Sequence, residues 1–527
     1  MRLKLKEINS SMKEYANKIF SIINNVHLFK IITLIINLIY AVPSSFDIEN
    51  VPMKIVFVWG IYLLAKDFLT RRIMFKQKFW PFLFAFLISF AISVLLNLTY
   101  QFPDSAINWF YVAQTFFLIY AFNPSEDYQT SKKWMARFND IFIGIVCFLG
   151  FVSLLLFAFH IRYWVLDGTG INWMRQGFTE NRLFGLYTSP NMGSIIGVLS
   201  VVASLMNNIL KRSSWKSFQP FYVFNAIIQY LYFVLASSRG TTLTLLTAGL
   251  VITCYVIYRL FVRHQASFKS LGKVILGAGL GLFLFVAVEH QAESILAYIP
   301  ATTQTAARLV TGEISWSDLR HGESKAGGNK SSVIAPVSIQ HDEGDAEVSA
   351  GRFTIWQAGI KAAAQNFLFG LSDIDLYRNI KDQEATAQVD MTKLTTLDRS
   401  EIKRARGNMH NTYIAVFTKA GFVGLIIIAA FALCYLIYHV GYLMTAKVDF
   451  SDANNQLYAL ILVTIIALLA EDMVENHILL ANRDTIGLIF WTYAGFLNVH
   501  RSQLQARKSQ AINKDLKSKF INIISPY

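Results

Sequence analysis

Apolar runs of about 17–25 residues, each long enough to cross a hydrocarbon core of roughly 30 Å, recur through this chain and dictate what it can fold into. Counted along the sequence they fall at 28–45, 51–67, 79–98, 106–122, 141–160, 190–210, 219–237, 241–262, 272–289, 414–443, 455–471 and 485–499. Lipid offers backbone amides no partners, so runs of this kind must be helices. The expectation is an all-α polytopic membrane protein of about twelve transmembrane helices. Residues 1–289 hold helices 1–9, a large external loop spans 290–413, residues 414–499 hold helices 10–12, and 500–527 form a basic tail.

The charge pattern agrees. Of 527 residues 54% are hydrophobic and 14% aromatic, and the formal net charge is +14. That excess would suit nucleic acid were it gathered on one surface, but it falls in short loops between apolar runs. Lys4, Lys6, Lys13 and Lys18 precede the first run; Lys66, Arg71, Arg72, Lys76 and Lys78 follow the second; Lys132, Lys133 and Arg137 follow the fourth. Lys211, Arg212 and Lys216 follow the sixth, Arg259, Arg263, Lys269 and Lys273 follow the eighth, and the tail carries Arg501, Arg507, Lys508, Lys514, Lys517 and Lys519. With twelve spans all of these lie on one side, which the positive-inside bias makes cytoplasmic, together with both termini. Nucleic acid is not an expected partner; membrane lipids are. The first run is read as a retained helix, because no small-residue cleavage site follows it. Cys147, Cys254 and Cys434 all sit inside apolar runs, with no CxxC or His/Cys cluster, so neither a disulfide framework nor a metal site is expected.

The opposite face receives the loops 46–50, 99–105, 161–189, the hinge 237–240, the long loop and the turn 472–484. Arginines there run against the topological bias and call for another explanation. Arg239, in Ser237-Ser238-Arg239-Gly240, joins two apolar runs with almost nothing else around it. It is either a snorkelling cation at a helix end or a clamp for phosphate, whose oxygens a guanidinium binds bidentately. Within the long loop, Phe353, Trp356, Ile360, Ala363 and Ala364 recur at helical spacing, which predicts an amphipathic helix over 351–369 with Gly370 as its stop. The stretch 321–347 is rich in Gly, Ser and acidic residues and reads as a tolerant insertion, and its His321 and His341 lack ligand-like spacing. No GxxxxGK[ST], GxGxxG, HExxH or GxSxG is present.

Four pieces on that outer face carry a resemblance: Asn181-Arg182-Leu183-Phe184-Gly185 running into Ser189-Pro190-Asn191; Ser238-Arg239-Gly240; Gly351-Arg352 with Trp356; and His410-Asn411-Thr412-Tyr413. Their order, and the large loop before the last spans, resemble the O-antigen ligase and O-antigen polymerase superfamily of bacterial envelope glycosyltransferases over roughly residues 140–480. The resemblance implies a fold like the type C glycosyltransferases. It also implies inverting, metal-independent transfer of a glycan from an undecaprenyl-diphosphate-linked oligosaccharide to an acceptor glycan hydroxyl, with no cofactor. A flippase and a chain-length regulator are implied partners. On this reading Arg239 and Arg352 neutralise the departing diphosphate and His410 takes the acceptor proton. Arg182, Asn191, Trp356, Asn411 and Tyr413 contribute to substrate binding. Glu471 and Asp472, in the run Glu471-Asp472-Met473-Val474-Glu475, orient His410 or an arginine, or simply end a helix. The Lys-, Ile- and Asn-rich composition and long insertion favour a capsular or exopolysaccharide polymerase over a ligase acting on lipid A core.

Two rivals remain at the level of sequence. A metal-dependent type C enzyme would need a carboxylate pair in the first external loop, where Asp47 and Glu49 stand, and Asp373-Ile374-Asp375 has the form of a DxD. A transporter or flippase would place charge in mid-membrane, and the mid-run positions here are nearly free of it. The topology is directly testable. Reporters fused at Lys133, Lys211, Arg263 and the C-terminus should read cytoplasm, and those near Ser105, Tyr163 and Gly327 should read outside; a cytoplasmic reading at Gly327 would put the arginines on the wrong face for this chemistry.

Overall fold

The structure is a computed structural model that describes residues 2–43, 50–98, 102–166, 173–212, 219–262, 267–311, 336–339, 351–372, 376, 389–405, 407–445, 448–481 and 484–524. Helices α1 (Arg2–Ile23), α2 (Val26–Tyr40), α3 (Asn50–Lys66), α4 (Trp80–Leu96), α5 (Phe102–Gln114) and α6 (Tyr128–Ala158) come first. A three-stranded sheet follows, and then α7 (Pro190–Arg212), α8 (Pro220–Ala236), α9 (Arg239–Val262), α10 (Phe268–Leu296) and α11 (Ile299–Val310). The long loop holds α12 (Arg352–Ala363) and α13 (Thr396–Arg404), and the chain ends with α14 (Thr412–Thr445), α15 (Ala453–Glu471) and α16 (Thr485–Ile524).

A helix overlies each of the twelve apolar runs, but the expected twelve spans are not reached. Among the described residues six helices are individually long and apolar enough to cross a membrane, and the count rises to seven if α1 and α2, bent by 62°, act as one. For three of the others the reason is length. Helices α3, α4 and α8 have 17 residues each, and at 1.5 Å per residue they reach about 25 Å, short of the roughly 30 Å hydrocarbon core. The apolar surface points to a lipid solvent. On α10 the only buried side chain is that of Leu296, while Ile275, Leu276, Phe283 and Val286 are exposed. In water such a face would be unstable; in lipid it is the ordinary exterior.

The all-α expectation needs one amendment. Residues assigned to the external loop 161–189 include β1 (Arg162–Leu166), β2 (Trp173–Thr179) and β3 (Arg182–Gly185), an antiparallel sheet in the order β1-β2-β3. Aromatic and β-branched residues fill β1, and Glu180 and Asn181 both take positive φ (51° and 58°), as a tight two-residue hairpin turn requires. The register slips between Gly177 and Phe178, where Gly177 has φ 80° and a Cβ would meet the Ile161 carbonyl at 1.9 Å.

The helix expected over 351–369 also differs. It ends at Ala363, and a 3-10 turn covers Ala364–Asn366. Its buried face is Ile355, Ala358, Gly359, Ala362 and Ala363, whereas Phe353 and Ile360 are exposed. The small residues win the interior because they let α12 approach α13 closely, forming a second core with Leu371, Leu394, Ile402 and Met409. The expected large apolar positions are left facing outward with Phe367 and Leu368. That suits a helix lying at a membrane surface. Asp47, Glu49, His321, His341, Gly327, Asp373-Ile374-Asp375 and nearly all of 321–347 lie outside the described residues.

What ties this loop to the bundle is a backbone seam. Leu371 and Ser372 N–H donate to the Thr418 and Lys419 carbonyls, and Phe422 and Val423 N–H donate to those of Phe367 and Leu368. The helix α14 is broken there at Gly421 (φ 68°, ψ −172°), a conformation open essentially to glycine alone. Gly370 (φ 73°) packs directly on it: a Cβ on Gly370 would stand 2.5 Å from the Gly421 nitrogen. Gly421→Ala should therefore destabilise the protein by about 1–3 kcal/mol and lower its melting temperature in detergent; an unchanged melting temperature would mean that the seam bears no strain.

Candidate functional site

The seam, the hairpin and the helix ends bring side chains from three separate segments onto one carboxylate, that of Glu475, and a fourth to within one residue of it. It stands just beyond the end of α15, with 8% of its surface exposed. Its Oε1 accepts from Arg352 Nη2 at 2.7 Å and from Asn191 Nδ2 at 3.2 Å, and its Oε2 lies 3.2 Å from His410 Nδ1. Asn191 passes the contact on, since its Oδ1 accepts from Arg182 Nη2 at 2.7 Å. Arg182, Asn191, Glu475, Arg352 and His410 are thus one connected polar network.

Local chemistry sets each member in place. Arg182 opens β3 directly after the hairpin turn, and its Nε donates to the Ala236 carbonyl at 2.8 Å and its Nη2 to that of Ser237 at 3.3 Å. It therefore reads the C-terminal end of α8, where Ser237 turns the chain with φ 45°. Burial pushes its guanidinium down to about 10, with the positive charge of Arg239 adding to the shift; it remains a cation at neutral pH. Arg239 is the first residue of α9, where the free N–H groups of a helix end already favour an anion. Its side chain is exposed and, among the described residues, has no hydrogen bond or ion pair. A Cβ on the next residue, Gly240, would meet Glu471 Oε1 at 3.7 Å and Glu475 Cγ at 4.0 Å, so the start of α9 lies directly against the carboxylates.

Arg352 is the first residue of α12 and follows Gly351, whose φ of 71° supplies the sharp entry. His410 is held by its own backbone. It has φ 45°, uncommon for a residue with a side chain, and its N–H donates to Asn408 Oδ1 at 3.0 Å. Its side chain is 35% exposed, against 10% for Glu475. With Nδ1 donating to Glu475, the imidazole would present Nε2 as its basic atom.

The remaining expected residues are fasteners in this structure. Trp356 Nε1 donates to the Met409 carbonyl at 2.9 Å, which ties α12 to the segment before His410. Asn411 Oδ1 accepts from Ile414 N–H at 3.0 Å, and its Nδ2 donates to the Met473 carbonyl at 2.8 Å, so it caps α14 and holds the acidic turn at once. Tyr413 OH donates to the Leu469 carbonyl at 2.8 Å. Asp472 accepts from the N–H groups of His477 (3.3 Å) and Ile478 (3.1 Å), and burial pushes its carboxyl up to about 7 against the pull of His477. Glu471 is fully buried and has no hydrogen-bond partner among the described residues; His477 Nε2 is 3.7 Å from it. Among the described residues neither Glu471 nor Asp472 forms a hydrogen bond or ion pair with His410 or with the arginines; within the run Glu471–Glu475 it is Glu475 that does. Glu475 was missed, although its position carried a signal: it is the acid of the run that lies past the helix end. Among the described residues, no group of three or more His, Cys, Asp or Glu is placed to hold a metal ion.

A family model described as O-antigen ligase matches residues 224–429 of this chain. Over that stretch the chain is similar to the O-antigen ligase family. The match supports the O-antigen ligase superfamily and an O-antigen ligase- or polymerase-type activity in polysaccharide biosynthesis at a membrane. The family implies lipid-linked oligosaccharide and glycan acceptor substrates. Comparison of the chain with curated proteins finds no match. The O-antigen ligase match runs from within α8 into α14 and contains Arg239, Arg352, Trp356, His410, Asn411 and Tyr413; Arg182 and Asn191 precede it, and Glu475 follows it.

Charge at Glu475 gives the site a pH signature. Burial pushes its carboxyl up, but the hydrogen bond from His410 and the charges of His477, Arg352 and His410 together bring it below the ordinary carboxylate value. A depressed folded pKa adds stability that is fully present above the unfolded value of about 4.3 and is lost as pH falls through the folded one. Wild-type protein in detergent should melt above Glu475→Gln at neutral pH, and the gap should close as pH drops below about 4. A gap independent of pH would show that this carboxylate is not charged in the fold.

Proposed function

We propose that this protein transfers a glycan from an undecaprenyl diphosphate carrier to an acceptor hydroxyl at the outer face of the cytoplasmic membrane, polymerising capsular, exopolysaccharide or O-antigen repeat units. The observation that supports it is the convergence of Arg352 and His410 on Glu475, with Arg182 joined to that carboxylate through Asn191 and Arg239, without a partner among the described residues, close by at the start of α9. Arg239 and Arg352 hold the diphosphate. His410 Nε2 accepts the proton of the acceptor O–H as that oxygen forms its bond to the anomeric carbon. The bond from that carbon to the diphosphate oxygen breaks, and its electron pair leaves with the diphosphate, whose new charge the guanidiniums meet. Attack opposite the leaving group inverts the anomeric centre, and charge stabilisation by arginine leaves no step that requires a metal. The site faces outward with both termini inside, because the Lys/Arg clusters between the apolar runs belong to the cytoplasmic side. A flippase delivering the donor and a chain-length regulator are fitting partners.

Substitution separates this reading from one in which the arginines merely anchor helix ends. His410→Ala should abolish transfer while leaving donor binding nearly unchanged, since the base acts on the acceptor. Arg352→Lys and Arg239→Lys keep charge but lose the planar fork, and each should slow turnover by on the order of a hundredfold at matched membrane levels. Wild-type turnover in both lysine variants, measured as a ladder of product from undecaprenyl-diphosphate repeat units, would place the chemistry elsewhere.

A further inference from the structure

Glu475 presents a puzzle for a site that binds an anion. A carboxylate occupies the very guanidinium that the diphosphate must use: Arg352 Nη2 is 2.7 Å from Oε1. The other oxygen holds the imidazole, with His410 Nδ1 3.2 Å from Oε2. Arg239, in contrast, is exposed and without a partner among the described residues. The two arginines assigned to one ligand are therefore in opposite states, one neutralised and one waiting.

We infer that Glu475 is a positioning residue that stands in for the diphosphate in the empty site and, once the donor displaces it from Arg352, orients His410 as the base. The inference rests on the reading of the site as a diphosphate clamp. The donor arrives first on Arg239, the cation that needs no partner broken, and then takes Arg352 from Glu475. The carboxylate cannot follow the guanidinium or move into solvent, because the turn around it is fixed: the Thr412 N–H donates to the Asp472 and Glu475 carbonyls, and Asn411 Nδ2 donates to that of Met473. It stays against Nδ1 of His410, now with one cation fewer to share its charge. A carboxylate at Nδ1 fixes the tautomer, leaves Nε2 free for the acceptor proton and stabilises the imidazolium that forms. Asn191, bonded to Oε1 at 3.2 Å, keeps the vacated oxygen from being left bare. The exchange also prevents an unpaired guanidinium and an unpaired carboxylate from being buried together in the empty site.

The arrangement predicts a split that a merely structural residue would not give. Glu475→Gln should bind undecaprenyl diphosphate in detergent roughly tenfold more tightly than wild type, because the competitor for Arg352 is gone. At saturating lipid-linked repeat unit its kcat should fall at least about a hundredfold, because the imidazole loses its orienting charge; KM for the donor should fall with it. On an Arg352→Gln background the gain in affinity should vanish, since the two act through one contact. Glu475→Asp, a shorter carboxylate, should show the same signs in weaker form and serves if the glutamine variant does not accumulate. Weaker or unchanged diphosphate binding in Glu475→Gln and Glu475→Asp, with wild type binding normally, overturns the placeholder role and leaves the clamp standing. Failure of wild type itself to bind diphosphate, or lysine variants at Arg239 and Arg352 that bind as wild type does, overturns the clamp and this inference with it.

Discussion

A carboxylate taken out of water is costly unless cations and donors meet it, and the architecture around the site can be understood as the means of meeting Glu475. Its partners are remote in sequence. Asn191 is the second residue of α7, Arg352 starts α12 and His410 lies two residues before α14. None could reach the carboxylate unless its own segment were fixed. The tight turn at Glu180–Asn181 aims Arg182, the positive φ of Gly351 aims Arg352, and the αL backbone of His410 turns its ring inward. Backbone of this kind, uncommon for residues with side chains, is one device by which the side chains are made to converge.

The long loop could not do this if it floated over the bundle. Its helix α12 is attached twice. At one end the 367–372 segment pairs by backbone hydrogen bonds with the broken turn of α14 around Gly421. At the other the Trp356 indole grips the Met409 carbonyl, one residue before His410. One attachment runs to α14 itself and the other to the segment that leads directly into it, so Arg352 and His410 are carried by what is mechanically one unit. The Glu475 turn is bound to that unit through Asn411 and Thr412. The acid, the base and one of the arginines thus share a frame, while Arg182 and Arg239 come from the other side, at the junction of β3, α8 and α9.

Much of this was legible in the chain. Apolar runs fixed where helices lie, because in lipid no other backbone conformation satisfies its own amides. Arginines lying against the charge bias marked Arg182, Arg239 and Arg352, and the structure brings Arg182 and Arg352 into one network with His410. What was not legible depends on tertiary contact. Helical spacing in 351–369 pointed to Phe353 and Ile360 as the inner face, but close packing against α13 selects the side with Ala358, Gly359 and Ala362. Twelve full-length spans were not legible either, because an apolar run says nothing of where caps cut it: Pro220 and Ser237 confine α8 to 17 residues. Choosing among Glu471, Asp472 and Glu475 required knowing that α15 ends at Glu471. One residue earlier or later in that ending would rotate a different acid toward the arginines.

Charge balance gives the arrangement its direction. Arg182, Arg239 and Arg352 contribute three positive charges around a site whose paired carboxylate, Glu475, contributes one negative charge, a surplus of two before any charge on His410. Beside them His477 pairs with Asp484 at 2.7 Å and lies 3.7 Å from Glu471, while Asp472 accepts from the N–H groups of the turn. A surplus of two at the edge of a low-dielectric bundle is a standing demand for a dianion. A neutral acceptor sugar does not meet it and a lipid-linked diphosphate does. In this balance the acceptor is selected by shape and hydrogen bonding, whereas the donor is selected by charge. Within the proposed reaction the donor is therefore the partner that completes the site electrostatically, and only a site so completed frees the Glu475–His410 pair for the acceptor proton.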